Sequence, residues 1–226
     1  IELRDRTGLK VGEAFMVDCH PQWIETRARV RRGELGTLKA AQGFFSYNNP
    51  DPENIRNKYR EGGGGLWDIG CYPVHTARYI FEEEPTEALA VVEREQEVGV
   101  DILTSGILSF PSGTLTFGSS TRLVANQYMT FFGDRASLTV DIPFNQMPDD
   151  PPFLYLDRAS SFPPEPERIE LEKVDQYGLQ GDAFSRAILE EGEVPVPLEN
   201  TLRNTAAILA LFRSAETGRR EPVRPD

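Results

Sequence analysis

The sequence predicts an α+β fold, a largely antiparallel, open-faced sheet with helices on one face. Three observations carry that prediction. Between residues 87 and 142, short β-like runs are punctuated by turn signals at Gly99, Pro111-Ser112-Gly113 and Gly133-Asp134. The helical patterns lie before and after that run instead of alternating with it. Thr114-Leu115-Thr116-Phe117 alternates polar with apolar, as in a sheet packed on one face and open on the other.

The elements follow in order. Residues 1–10 are polar and read as the end of a helix begun before residue 1. Val11–Val17 is a β-like apolar run. His20-Pro21 opens a helix to about Arg32, because proline suits a first helical position. Gly33 and Gly36 end it. Leu38–Tyr47, rich in aromatic and small residues, reads as a strand, and residues 48–65 form a long loop that ends in four glycines. Leu66–Phe81 is a helix, broken by Glu84-Pro85. An antiparallel meander follows: Glu87–Val98, Val100–Phe110, Thr114–Arg122, Tyr128–Phe132 and Ser137–Ile142. The proline-rich stretch 143–166 is an extended excursion with a short strand at Phe153–Leu156, and Arg168–Val174 adds an edge strand. Tyr177–Glu190 is a helix whose Phe184, Ala187 and Ile188 share a face. Leu198–Thr217 is a helix patterned through Leu202, Ala206, Leu209 and Phe212, stopped by Gly218.

Composition narrows the function classes. A net charge of −12, from 24 Lys+Arg and 36 Asp+Glu, argues against nucleic acid and anionic membrane as partners. No apolar run approaches the roughly 18 residues that cross a bilayer. Two cysteines, Cys19 and Cys71, far apart and outside any CxxC spacing, fit free thiols in a reducing, cytoplasmic setting. Two histidines, His20 and His75, speak against a zinc site.

The chemistry concentrates in Gly62-Gly63-Gly64-Gly65-Leu66-Trp67-Asp68-Ile69-Gly70-Cys71-Tyr72. On a helix, Asp68 and Tyr72 stand one turn apart on one face, with Gly70 between them leaving room for a backbone or a flat ligand. A carboxylate and a phenol beside such a gap form a candidate proton-transfer site. The same residues also read as a flexible loop, a helix-start aspartate and a core tyrosine.

The order of this motif, a glycine run and then Asp-x-Gly-x-Tyr opening a helix, resembles the active-site helix of the Gfo/Idh/MocA oxidoreductases. Many members carry histidine where this chain has Tyr72; the glucose-fructose oxidoreductase, dihydrodiol dehydrogenase and NADP-dependent D-xylose dehydrogenase branches carry tyrosine. Glu13-Ala14-Phe15-Met16 with His20-Pro21-Gln22-Trp23 resembles the crossover between the family's two domains, and Asn49-x-Asp51-x-x-Asn54-Ile55-Arg56 its substrate loop. The likeness covers nearly all of residues 11–220. It implies the fold of a glyceraldehyde-3-phosphate dehydrogenase-like C-terminal domain. No GxGxxG turn and no Glu-Lys-Pro segment is found, so residues 1–17 read as the remnant of a nucleotide-binding domain and residues 18–226 as the substrate-binding and oligomerisation domain.

The resemblance implies hydride exchange between a nicotinamide and the CH–OH group of a sugar or related polyol. Tyr72 would be the general acid/base and Asp68 would orient the substrate hydroxyl or the family's lysine. Asn54, Arg56 and Tyr177 would bind substrate, and Gly70 and His20 would lie near the cofactor. NAD or NADP would serve the full-length enzyme and bind this chain weakly alone. The open sheet face would join copies of the chain in a homo-oligomer. Val17-Asp18 departs from the family's pattern, since a negative Asp18 near a phosphate-bearing cofactor is unhelpful. A non-redox carbohydrate- or partner-binding module and a glycoside-cleaving enzyme therefore stay open as alternatives.

Overall fold

The computed structural model describes residues 1–158 and 165–224. Its helices are α1 (Glu2–Thr7), α2 (Pro21–Arg31), α3 (Cys71–Phe81), α4 (Gln176–Leu189) and α5 (Leu198–Thr217). Its strands are β1 (Leu38–Asn48), β2 (Glu87–Arg94), β3 (Asp101–Ser109), β4 (Thr114–Ser120), β5 (Arg122–Gly133), β6 (Ser137–Val140), β7 (Phe153–Asp157), β8 (Glu167–Glu170) and β9 (Glu221–Pro222). All of these strands join one mixed, mostly antiparallel sheet in the order β8-β7-β6-β5-β1-β4-β3-β2-β9. The predicted α+β class is the one observed.

The expected meander is interrupted. β1 lies between β4 and β5, parallel to β4 from Ala40–Thr114 to Ser46–Ser120 and antiparallel to β5. The chain leaves β4 at Thr121 and crosses to the far side of β1, so β4 and β5 do not form a hairpin. The segment 11–17 is not a strand. Only Gly12 bridges, to Pro197, and Met16–Cys19 winds into a 3₁₀ turn. Phe15, Met16 and Val17 are all buried in succession, so this apolar run has the composition of a strand without its alternation. The strand expected to reach Val98 stops at Arg94, where Gly99, at φ 75°, closes a turn back to Glu95 (2.8 Å). Residues 159–164 of the proline-rich excursion lie outside the described residues.

Helices α2, α3 and α5 cover one face of the sheet. Trp23 of α2 is fully buried, and its indole N–H donates to the Pro143 carbonyl (2.8 Å). α5 buries Ala206, Ala207, Ile208, Ala210 and Leu211 and packs Phe212 against the core, while Leu202 and Leu209, two of the four positions in the pattern read from the sequence, turn outward. Its small residues let the helix lie close to β2, where Ser214 accepts from the Ala90 N–H (3.0 Å). On α4 only Gln176 and Ala187 are buried, so Ile188 and Leu189 face outward. The other sheet face is open. Phe44, Leu89, Ile107 and Tyr128 line a shallow apolar depression on it, and Val91 beside them is 76% exposed.

Candidate active site

The loop before α3 is pinned from below. Asn57 is buried, donates to the carbonyls of Asn49 (3.0 Å) and Asp51 (2.7 Å), and accepts from Arg122 (3.1 Å). Asn54 accepts from the Arg56 N–H (3.0 Å) and so starts the turn Ile55–Asn57. The glycine run then meets Asp101. A Cβ on Gly64, which sits at φ 131°, would come within 2.1 Å of the Asp101 carboxylate, and one on Gly63 within 2.5 Å of the Arg56 carbonyl. Asp101 accepts from the Leu66 N–H (2.5 Å) and caps the start of the helix. Its own burial raises its pKa. A wide π-helical turn, Leu66–Gly70, leads into α3.

This entry brings Asp68 and Tyr72 to one wall of a cleft of about 420 Å³. Asp68 is held from two sides. Arg56 donates from Nε to Oδ1 (2.8 Å), and the Tyr47 hydroxyl, at the end of β1, donates to Oδ2. Burial, followed by the hydrogen bond to Asp68, pushes the Tyr47 phenol above its ordinary range, so it stays a donor.

Tyr72 stands differently. Its ring is boxed by Phe15 (5.1 Å between centroids), Phe144 (5.4 Å) and Phe45 (5.9 Å). Its hydroxyl meets the Met16 sulfur at 3.7 Å and has no nitrogen or oxygen partner among the described residues. Burial raises its pKa; Cys71, Tyr177, Asp68 and Glu13 push the same way. The phenol is thus a neutral group with unused hydrogen-bonding capacity at the wall of the cleft.

Of the residues singled out from the sequence, Asp68, Tyr72, Arg56 and Tyr177 share this cleft. Asn54 does not line it, and acts through the turn that presents Arg56. Gly70 is packed against β4, where a Cβ would lie 2.9 Å from the Ser119 hydroxyl, so the space beside it is filled by a strand. His20 is fully buried and caps α2 by accepting from the Gln22 N–H (3.1 Å). Asp18 turns its carboxylate onto buried His75 (2.6 Å), whose ring stacks on Phe15 (4.1 Å). Sequence reasoning missed Tyr47, Asn145 and Gln180, which add polar groups to the lining. Gln180, with its amide oxygen turned toward the backbone, accepts from the Phe15 and Met16 N–H groups (both 3.2 Å) and holds that wall to α4. Among the described residues no His, Cys, Asp and Glu cluster is arranged to hold a metal. Among them, too, no helix is long and apolar enough to cross a membrane.

The chain is similar to known proteins along most of its length. A family model described as the GFO/IDH/MocA C-terminal domain matches residues 23–139. An uncharacterized oxidoreductase of Rhizobium meliloti is 40% identical over 99% of the chain and 67% of its own length. The D-xylose 1-dehydrogenase (NADP(+)) 2 of Haloferax volcanii is 32% identical over 93% of the chain and 64% of its own length. The chain therefore spans about two thirds of the length of these relatives. Among solved structures, an aldose-aldose oxidoreductase from Caulobacter crescentus, complexed with glycerol, superposes with a TM-score of 0.86 at 25% identity, over 96% of this chain and 65% of that one.

Proposed function

The chain belongs to the Gfo/Idh/MocA family of oxidoreductases, and from that premise we propose that it forms the substrate side of an NAD(P)-dependent enzyme acting on the CH–OH group of a sugar or related polyol. The observation that carries this reading is the Tyr72 hydroxyl, partnered among the described residues only by sulfur and set in the wall of a cleft beside Asp68.

Tyr72 exchanges a proton with the oxygen of the reacting carbon. In carbonyl reduction the neutral phenol is the acid as it stands. In carbinol oxidation it must give up its own proton first, and burial opposes that. A cation outside these residues, the role the family's lysine fills, is needed to lower it. Asp68 keeps lone pairs free for a substrate hydroxyl while Tyr47 and Arg56 fix its orientation. Arg56, Asn49, Asn145 and Tyr177 ring the opening with further donors and acceptors, as a polyol requires.

A bound nicotinamide supplies the hydride acceptor or donor. The chain's residues fit the reacting end of that chemistry through Tyr72. They do not fit a dinucleotide's pyrophosphate, because the glycine run is filled by Asp101 and the Arg56 carbonyl instead of cradling a ligand. On this reading nucleotide binding belongs to a domain other than residues 18–226, with residues 1–17 as its remnant. NAD and NADP both fit this reading, and the xylose dehydrogenase relative favours NADP. The departure at Val17-Asp18 is compatible with this reading, since Asp18 turns its carboxylate onto His75 inside the domain. The apolar open sheet face is assigned to contact with a second copy of the chain. Free Cys19 and Cys71 suit a reducing cytoplasm.

The test is turnover of pentoses, hexoses and polyols by the whole protein, followed through nicotinamide absorbance with each cofactor. Sugar-dependent reduction or oxidation of the nicotinamide is expected. Its absence with every substrate and both cofactors would overturn the reading.

A further inference from the structure

A second recess of about 270 Å³ adjoins the cleft through the Arg56–Asp68 pair. Arg56 and Asp68 line both the cleft and this recess, and Ile55, Glu61, Gly62, Gly63 and Trp67 complete it. Its volume falls just below the roughly 300–1,000 Å³ of drug-sized ligand sites and suits a single ring. We propose that this recess is a subsite for a second pyranose ring, so that the substrate class is a disaccharide or longer glycoside whose reacting ring occupies the Tyr72 cleft. The proposal rests on the sugar reading of that cleft.

Three features select this occupant. First, Trp67 is half-buried and braced on Phe212 (5.9 Å, 42°), so the recess has a fixed aromatic wall. The C–H face of a pyranose is apolar and flat, and an indole matches it. Second, the hydrogen-bonding groups are unspent. Arg56 uses only Nε on Asp68, and the Glu61 side chain has no partner among the described residues. A guanidinium and a carboxylate at the edges of an aromatic wall serve ring hydroxyls, which both donate and accept. Third, the charge balance argues against a nucleotide-linked sugar. Arg56 is the single cation among the lining side chains, against Asp68 and Glu61, and a diphosphate linker would meet net negative charge. The glycine backbone at Gly62 and Gly63 leaves the opposite side free of side chains.

The experiment is calorimetric titration of the protein with two matched pairs, D-xylose against xylobiose and D-glucose against cellobiose, with tryptophan emission read in parallel. Trp23 is fully buried, so a sugar-dependent change in emission reports Trp67. At least one disaccharide is expected to bind about tenfold more tightly than its monosaccharide and to change the emission. Trp67→Ala removes the aromatic wall. Glu61→Ala, on an exposed loop residue, removes the carboxylate without touching the core. Both variants should erase the disaccharide preference and leave monosaccharide affinity within about twofold. Equal binding within both pairs, or a preference that survives both variants, overturns the subsite while the cleft reading stands. Binding of none of the four sugars overturns both.

Discussion

Arg56 reaches Asp68 from a loop twelve residues upstream and binds the carboxylate oxygen that Tyr47 leaves open. The carboxylate thereby joins three separate pieces of the fold, the end of β1, the 48–65 loop and the turn into α3. Its role is to hold the cleft in shape as much as to meet a substrate.

Asp68→Ala should cost about 1–2 kcal/mol. Most of this comes from the half-buried Tyr47 hydroxyl left without an acceptor. The half-exposed Arg56 adds little, because solvent screens its ion pair. Thermal unfolding should fall by roughly 2–8 °C, and sugar affinity should fall with it. An unchanged melting temperature together with unchanged sugar binding would show that the pair does not organise the cleft.

Asn57→Ala removes the pin beneath the loop. The Asp51 carbonyl loses its side-chain donor, while the Asn49 carbonyl and Arg122 each lose one hydrogen bond and keep the one between them (2.6 Å), at a cost of about 1–2 kcal/mol. Because Asn57 lies outside the cleft lining while Arg56 depends on its loop, KM should rise several-fold with kcat nearly constant. A fall in kcat at constant KM would contradict this.

His20 gives a pH dependence with a definite sign. Burial lowers its pKa to about 4, against roughly 6.5 in the unfolded chain. The folded value is the depressed one. The neutral imidazole therefore contributes stability that is present above about pH 6.5 and lost as pH falls toward about 4, on the order of 3 kcal/mol in all. His20→Asn keeps an acceptor for the Gln22 N–H and removes the titration. Urea denaturation across that window should show a shallower loss for the variant. Parallel curves for the two proteins would remove His20 from the acid response.

Val91→Glu places a charge at the centre of the exposed apolar face of β2. The core on the other face is untouched, so the fold should survive, and light scattering should show the oligomer replaced by single chains. A monomeric parent protein would refute the assignment of that face.

Much of this was legible in the sequence, for local reasons. The runs between residues 87 and 142 announce strands because their turns are local. The interval from Asp68 to Tyr72 survives as one turn of helix. The insertion of β1 between β4 and β5 was not legible, because that pairing joins residues more than seventy positions apart and leaves no local mark. Tyr47 looked like the last residue of a strand, and only tertiary structure gives it Asp68. Gly70 and His20 were read as ligand-side residues because both small size and an imidazole suit a binding site. Close packing on Ser119 and the cap on α2 use the same two properties. Asp18 was read as a misplaced charge, and its partner His75 is fifty-seven residues away.

The most direct test of the central claim is Tyr72→Phe in the whole enzyme, with turnover and thermal unfolding measured together. Among the described residues the hydroxyl meets only a sulfur, so its loss should leave the melting temperature within about 1–2 °C. Loss of the proton donor should lower kcat about 10²–10⁴-fold with KM little changed. Unchanged kcat would contradict the account and send the proton to another group in the cleft.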